Sequence, residues 1–226
     1  VDTDSGSYDK EGVDRAGQVL ARFHERNGLA VEIIANGRYG DAVKARLPNP
    51  TANDQRPVLL LGHRDTVFPK GEPTRRPFSI KDGRAYGPGV ADMKAGLVIE
   101  AFVAAAFAEC GGLSAPLTML TTSDEEIGSP SSRPVIEAAA RESRCVFNAE
   151  PSRLPAGSGF AKDRRQSVTS GRKGGVFMRA EFTGKPAHSG ANYEKGASAI
   201  VDLGHKIPKL QGLTDLEKGI TVNVGL

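Results

Sequence analysis

The sequence predicts a protein of the α/β class, with a mainly parallel sheet and helices on both of its faces. Val58–Leu61 is a short, continuous apolar run, which is typical of a strand buried on both faces, and Leu117–Thr122 and Cys145–Asn148 are predicted to be two further buried strands. Helical segments separate these runs, and strands that alternate with helices indicate a parallel sheet. The chain has 226 residues, of which 38% are hydrophobic and 25% are charged. This composition is that of an ordinary globular protein with one large domain or two smaller ones.

The first predicted elements precede the buried strands. Lys10–Asn27 has helical periodicity, and Gly28 follows it as a typical helix stop. Val31–Ile34 and Ala42–Leu47 are expected to form two strands around a Gly-rich turn, and residues 48–56 form a polar loop.

Two longer helices are predicted between and after the buried strands. Met93–Cys110 contains the longest apolar stretch of the chain, which Glu100 interrupts. Because this stretch is shorter than a bilayer span, we expect a core helix and no membrane-spanning segment. The second helix is expected at Arg133–Glu142.

Charge and cysteine content exclude some functional classes. The net charge is +3 and the basic residues are scattered, so neither a nucleic-acid partner nor a membrane surface is expected. The two cysteines, Cys110 and Cys145, are too few for a disulfide scaffold or a Cys-type zinc site. We expect them to be small buried hydrophobic residues.

The composition changes near residues 170–174, where a second, smaller domain is expected to begin. Val176–Thr183 alternates like a half-exposed strand, Ala197–Lys206 reads as a helix, and Ile220–Val224 begins another strand. This strand–helix–strand order predicts the first half of a small α+β domain. The predicted domains are therefore residues 1–172 and 173–226.

Polar residues that can bind metal follow each of the three buried strands. Ligands of such sheets bind at the carboxyl ends of the strands, so these residues are expected to converge. They are His63-Arg64-Asp65 after the first strand, Asp124-Glu125-Glu126 after the second, Glu150 after the third, and Asp92 at the start of the long helix. So many carboxylates would repel one another, and two divalent cations would neutralise them. Imidazole with carboxylates suits zinc, with cobalt or manganese as substitutes.

Residue spacing indicates how these groups divide the chemistry. His63 and Asp65 are two positions apart, so on an extended backbone they face the same way. Asp65 can then accept the second ring N–H of His63 and fix its tautomer. Glu125 and Glu126 would point apart in a strand. One can bind metal while the other takes the proton of the attacking water.

Each motif also has a simpler interpretation. His63-Arg64-Asp65 can be a strand-end hydrogen-bond network, and an Asp-Glu-Glu run is often a solvated loop. A kinase catalytic loop is rejected because Lys70 stands where that motif needs Asn. A dinucleotide site is rejected because Asp92 replaces the third glycine of its fingerprint. Only the joint placement at successive strand ends favours a metal site.

Five segments together resemble the M20 family of metallopeptidases, and within it the glutamate carboxypeptidase (carboxypeptidase G2-like) branch. They are Leu59–Val67, Tyr86–Lys94, Thr122–Ser129, Ala149–Pro151 and Gly184–Gly190. The resemblance implies a zinc exopeptidase-like catalytic domain followed by part of a ferredoxin-like lid and dimerisation domain.

The resemblance also implies the metal ligands. His63, Asp92 and Glu150 would hold one zinc ion. Asp92 would bridge to a second zinc ion, which Glu126 would also bind. Family members complete the second site with a late histidine that has no counterpart among the four histidines here. His24 and His205 are expected to be solvated on helices.

Further roles follow from the same resemblance. Asp65 would orient His63, and Glu125 would act as general base and then as general acid. His188 would reach into the partner subunit's site in a homodimer. The implied reaction is hydrolysis of an amide or peptide bond next to a free carboxylate. Release of C-terminal glutamate is one form of this reaction.

The chain is expected to be partial at both ends. It does not begin with Met, and both the second half of the lid and the late metal-binding histidine are missing from it. Its compartment, cytoplasmic or periplasmic, stays open. Alternatives are an N-acyl-amino-acid amidohydrolase or dipeptidase of the same family, and a catalytically silent metal-binding dimerisation module.

Overall fold

The computed structural model describes residues 1–151 and 169–225. The chain divides into two compact units, Val1–Gly159 and Phe160–Leu226. In the described residues, no helix has the length and apolarity needed to cross a membrane. The predicted boundary between residues 172 and 173, and the assignment of the two parts as catalytic domain and lid, stay predictions.

The first unit contains four α-helices and seven strands among its described residues. The helices are α1 (Lys10–Arg26), α2 (Glu72–Arg75), α3 (Ala95–Glu109) and α4 (Arg133–Glu142). The strands are β1 (Ala30–Ile34), β2 (Ala42–Leu47), β3 (Val58–His63), β4 (Ser79–Lys81), β5 (Arg84–Tyr86), β6 (Leu117–Thr122) and β7 (Cys145–Asn148).

Five strands form the central sheet in the order β1-β2-β6-β3-β7. β3 lies between β6 and β7 and is parallel to both, whereas β2 joins β6, and β1 joins β2, in antiparallel pairs. The carboxyl ends of β3, β6 and β7 therefore meet at one edge of the sheet. Helices and a sheet with this parallel part confirm the predicted α/β class.

Apolar side chains pack against both faces of the sheet. On one face, Leu60 and Met119 contact a cluster with Leu97 and Ala104 of α3, and α1 packs at its border. On the other face, Leu59 and Leu120 pack with α4. The strand residues alternate between the two clusters, as the pleat of a strand requires. Helices on both faces were thus predicted correctly.

β7 differs from the prediction of a buried strand. All four of its residues are exposed, Cys145 included, because β7 is at the edge of the sheet and pairs only with β3 among the described strands. Cys110 is also exposed, because it follows the last turn of α3. The expectation of two buried cysteines was therefore wrong. The short helix α2 and the β4–β5 hairpin were not predicted.

The second unit has one described α-helix, α5 (Ala199–Gln211), which begins two residues after the predicted start and extends five residues further. The Ser198 hydroxyl caps it by accepting a hydrogen bond from the N–H of Val201 at 3.3 Å. The predicted strand at Val176–Thr183 is wrong, because these residues pair with no other described strand. Ile220–Val224 forms only an isolated bridge, from Ile220 to Asp215.

Candidate metal centre

His63 is the last residue of β3, and its ring is almost completely buried at the carboxyl edge of the sheet. Its Nε2 atom lies 3.2 Å from Asp92 Oδ1 and 3.2 Å from Glu150 Oε1. Its Nδ1 atom lies 3.2 Å from Asp65 Oδ1. One ring nitrogen therefore faces two carboxylates across the site, and the other faces a single carboxylate behind it.

Asp92 lies in the turn Val90–Lys94, immediately before α3. Gly89 begins this turn with φ +72°, and a Cβ atom there would lie only 2.5 Å from the Thr66 side chain. Glycine alone tolerates both this backbone conformation and this close approach. The peptide bond between Asp92 and Met93 is cis. The turn places the Asp92 carboxylate above the end of β3, with 55% of its side chain exposed.

Glu150 follows β7 and completes a group of three potential ligands. One atom from each of His63, Asp92 and Glu150 lies within 4.8 Å of the other two. Two ligands of a tetrahedral zinc ion, each at about 2.1 Å from it, are separated by roughly 3.4 Å. The 3.2 Å distances from His63 Nε2 to the two carboxylates match this spacing. The donor set of one imidazole and two carboxylates fits zinc.

Asp65 connects His63 to the following loop and to the N-terminal segment. Its carboxylate accepts hydrogen bonds from the backbone N–H groups of Glu125 and Glu126, each at 3.2 Å. It also accepts one from the Ser7 hydroxyl at 2.7 Å. With the His63 ring at its fourth position, this buried carboxylate is fully partnered, so its orientation is fixed from several directions.

These contacts shift the ionisation of the inner pair. Burial alone would lower the pKa of His63, but the hydrogen bond with Asp65 and the charges of Asp65, Glu125 and Glu150 raise it to about 9. Burial opposes the charged form of Asp65, yet its hydrogen bonds from His63 and Ser7 hold its pKa below the usual value. Without a metal the pair is thus a charged imidazolium and a carboxylate, and a metal must displace the ring proton.

The outer carboxylates shift in the opposite direction. The pKa of Glu126 is raised to about 7, chiefly by burial. The charge of His63 lowers this pKa, whereas the charges of Asp92, Asp65 and Glu125 raise it. Burial also raises the pKa of Glu150, with Asp92 and Glu125 adding to it. The site therefore holds more negative charge than the protein neutralises, and a divalent cation would compensate for it.

Glu125 and Glu126 lie on a short 3₁₀ turn, Glu125–Ile127, and not on the extended backbone that we expected. The turn forms because Asp65 accepts both of their N–H groups, which a continuing strand would direct to opposite sides. Glu125 Oε2 is 3.7 Å from His63 Nε2, and half of the Glu125 side chain is exposed to solvent. Glu126 is not part of the three-residue group that can hold a metal.

The remaining histidines lie outside this cluster. His188 is exposed in the second unit, where its Nδ1 atom accepts a hydrogen bond from the N–H of Gly190 at 3.1 Å. His205 is exposed on α5, as expected. His24 is buried on α1, so the expectation of a solvated ring was wrong. His24 lies among the buried residues of α1, with Val13, Gly17 and Ala21, which the approximate helical pattern did not resolve.

Three residues around the site were missed or undervalued by the sequence analysis. Ser7 gave no signal, because its partner Asp65 is distant in the sequence. Glu100 gave a signal, since it is the single acid in a long apolar stretch. Arg64 donates hydrogen bonds to the backbone carbonyls of Val13 and Thr121. It therefore forms the kind of strand-end hydrogen-bond network that was the simpler interpretation of His63-Arg64-Asp65.

Comparison with known proteins adds a family to this geometry. The family model described as peptidase family M20/M25/M40 matches residues 59–214, which is more than half of the chain. Carboxypeptidase G2 from Pseudomonas sp. (strain RS-16) is 29% identical over 226 residues, covering 99% of this chain and 52% of that protein. Acetylornithine deacetylase from Myxococcus xanthus is 33% identical over 181 residues, covering 75% of this chain and 43% of the relative. The chain thus spans about half the length of the curated relatives it matches.

A solved structure has the same fold. The tripeptidase from Staphylococcus aureus subsp. aureus Mu50 aligns with a TM-score of 0.60 and 18% identity, over 93% of this chain and 53% of that chain. At this identity the likeness extends to the fold alone.

Proposed function

Since the chain belongs to peptidase family M20/M25/M40, we propose that the complete protein is a zinc-dependent hydrolase of amide or peptide bonds next to a free carboxylate. The observation that supports this proposal most directly is the group of His63, Asp92 and Glu150 at the carboxyl edge of the sheet. These residues come from three separate segments of the chain, and their donor atoms are spaced as ligands of one zinc ion would be.

The proposed substrate branch is that of the glutamate carboxypeptidases. It is supported by the 29% identity to carboxypeptidase G2 over 99% of this chain, a coverage only slightly above the 96% at which the acetylornithine deacetylase of Klebsiella pneumoniae (strain 342) has the same identity. The second candidate is an N-acyl-amino-acid amidohydrolase, which is favoured by further acetylornithine deacetylases at 29% to 31% identity. Both reactions hydrolyse an amide beside a carboxylate.

Each residue has a proposed role. His63, Asp92 and Glu150 would hold one zinc ion, and Asp92 and Glu126 would contribute ligands to a second in the complete protein. Zinc polarises a carbonyl oxygen and lowers the pKa of a bound water. Asp65 holds the His63 ring in the tautomer whose Nε2 atom is free to bind metal.

Glu125 is the proposed general base. Its carboxylate lies beside the ligand group, 3.7 Å from His63 Nε2, and is exposed enough to meet substrate and water. It would take the proton of the attacking water and then deliver it to the leaving amine. His188 is proposed to act from a lid domain of residues 173–226, through which the protein would form a homodimer.

The proposal is tested by Glu125→Gln in the full-length protein. The amide has nearly the same shape but no basicity, so turnover should fall by at least about a hundredfold while zinc content stays the same. Hydrolysis is measured with a folyl-glutamate, an N-acyl-amino acid and a dipeptide, and zinc is measured by elemental analysis. Glu109→Gln, on the exposed end of α3, is the matched control.

Each result bears on a different part of the proposal. Unchanged turnover in Glu125→Gln would remove Glu125 as the base. Preference for the N-acyl-amino acid would favour the second candidate over the carboxypeptidase. Bound zinc without hydrolysis of any of the three substrates would favour a silent metal-binding dimerisation module.

A further inference from the structure

Glu100 is a buried acid on an apolar helix. It lies in the middle of α3, its residue is 4% exposed, and its neighbours along the helix are apolar. Burying a carboxyl group costs free energy unless another group compensates for it. An apolar residue would fill the same position at lower cost, so the contacts of Glu100 indicate why an acid is present.

Glu100 binds the segment that contains Glu150. Its Oε1 atom accepts a hydrogen bond from the backbone N–H of Ala149 at 3.0 Å. Its Oε2 atom is buried and has no hydrogen-bond partner among the residues that the structure describes. Its one observed hydrogen bond is therefore to the residue directly before the proposed ligand.

A second contact holds the same segment against the helix. Gly96 lies one turn before Glu100, and a Cβ atom at position 96 would collide with the carbonyl oxygen of Ala149. Helix α3 thus approaches Ala149 at its carbonyl through Gly96 and binds its N–H through Glu100. The next N–H, that of Glu150, is donated to the Asn148 side chain at 2.8 Å.

The same helix begins at the other carboxylate ligand. Asp92 lies in the turn that leads into α3, three residues before the helix begins at Ala95. β7 is an exposed edge strand and gives Glu150 little support of its own. We propose that Glu100 is a positioning residue that fixes Glu150 relative to Asp92, and so preorganises these two carboxylates for one metal ion. This inference rests on the proposed metal site.

The test compares zinc affinity in full-length Glu100→Leu and Glu100→Gln variants by competition with a chelator. Leu removes the acceptor for the Ala149 N–H, and loss of such a supporting contact typically lowers metal affinity by roughly 10- to 100-fold. Gln keeps an acceptor oxygen, so its affinity should stay within about threefold of wild type. The absorption spectrum of the Co²⁺-substituted protein should change for Leu and not for Gln. Glu109→Leu, at an exposed position of α3, is the control.

Stability distinguishes positioning from a general structural role. Glu100→Leu leaves the Ala149 N–H without its acceptor but also removes the cost of burying a carboxyl group. Because these two effects oppose each other, the variant should lose zinc affinity with little change in the free energy of unfolding of the metal-free protein. If it does not fold, Gly96→Ala displaces Ala149 without changing Glu100 and should also weaken zinc binding. Wild-type affinity in Glu100→Leu, or equal losses in Leu and Gln, would overturn the role of Glu100 alone. A wild-type protein that binds no zinc would instead overturn the proposed metal site.

Discussion

Buried polar side chains in the first unit differ in how completely their atoms are paired. Asp65 is surrounded by donors from His63, Ser7, and the N–H groups of Glu125 and Glu126. His24 is equally buried, but neither of its ring nitrogens has a hydrogen-bond partner in the described part of the chain. The protein therefore stabilises the charged form of Asp65 and the neutral form of His24.

His24 should make the first unit less stable in acid. Burial lowers the pKa of His24 from 6.5 to about 4. Between these pH values His24 is protonated in the unfolded chain but neutral in the folded protein. The stability that neutral His24 preserves is therefore fully present above pH 6.5 and is lost as the pH falls towards 4. The difference corresponds to about 3 kcal/mol in the free energy of unfolding. Urea unfolding at pH values from 7 to 4, with a metal chelator present, measures it.

A comparison of variants isolates this histidine from the carboxylates that titrate nearby. His24→Leu cannot be protonated, so its free energy of unfolding should fall less than that of wild type between pH 6.5 and 4. His205→Leu changes an exposed ring and should keep the wild-type slope. If wild type and His24→Leu lose stability in parallel, His24 does not cause the acid sensitivity.

The site could be predicted from sequence to the extent that its residues follow strands. His63 and Glu150 were predicted to converge because each follows a strand of a mainly parallel sheet. In the structure β3 and β7 are parallel neighbours, and His63 Nε2 lies 3.2 Å from Glu150 Oε1. The partners of Asp65 were only partly predictable. Ser7 and the N–H of Glu125 are 58 and 60 residues away from it, and no local pattern encodes such contacts.

At the scale of elements, prediction succeeded where local pattern and burial agree. β6 is buried along its whole length, and its bounds were predicted correctly as those of a buried strand. β7 has a similar apolar pattern but is exposed, because burial depends on what lies beside a strand in the sheet. Apolar and polar residues alternate along Val176–Thr183 as in a strand, yet this segment pairs with no other described strand. A strand forms only through hydrogen bonds to a neighbouring strand, which local alternation does not supply.

Arg64 forms hydrogen bonds with both helix α1 and the sheet. Its buried guanidinium donates to the carbonyls of Val13 in α1 at 2.9 Å, of Thr121 and Thr122 at 3.1 and 3.3 Å at the end of β6, and of Asp41. These acceptors point in several directions, and the planar fork of arginine reaches them together. A lysine has the charge but not the geometry.

Arg64→Lys should therefore destabilise the first unit by about 3 kcal/mol, because several buried carbonyls lose their donors. Urea unfolding at pH 7 measures the loss. Arg22→Lys makes the same chemical change at an exposed position of α1 and should have an effect below about 0.5 kcal/mol. A loss of less than about 1 kcal/mol in Arg64→Lys would mean that packing, and not these hydrogen bonds, holds α1 on the sheet.

At the scale of the whole molecule, the candidate metal centre joins segments that are far apart in the sequence. His63 ends β3, Asp92 precedes α3, and Glu150 follows β7, so one ion would link the centre of the sheet, a helix and the edge strand. The unfolded chain does not keep these groups together. Metal binding should therefore favour the folded state of the whole first unit and not only order the site.

Zinc should accordingly raise the stability of the protein in a way that depends on His63. At a free zinc concentration one hundred times the Kd, binding to the folded state alone adds about 2.7 kcal/mol to the free energy of unfolding. Urea unfolding with zinc and with a chelator, at pH 8, measures this difference. His63→Ala should abolish the zinc-dependent difference, because only two of the three grouped ligands, both carboxylates, remain. His205→Ala changes an exposed residue of α5 and should retain the difference. A zinc response of equal size in His63→Ala would mean that the stabilising ion is not held by the group of His63, Asp92 and Glu150.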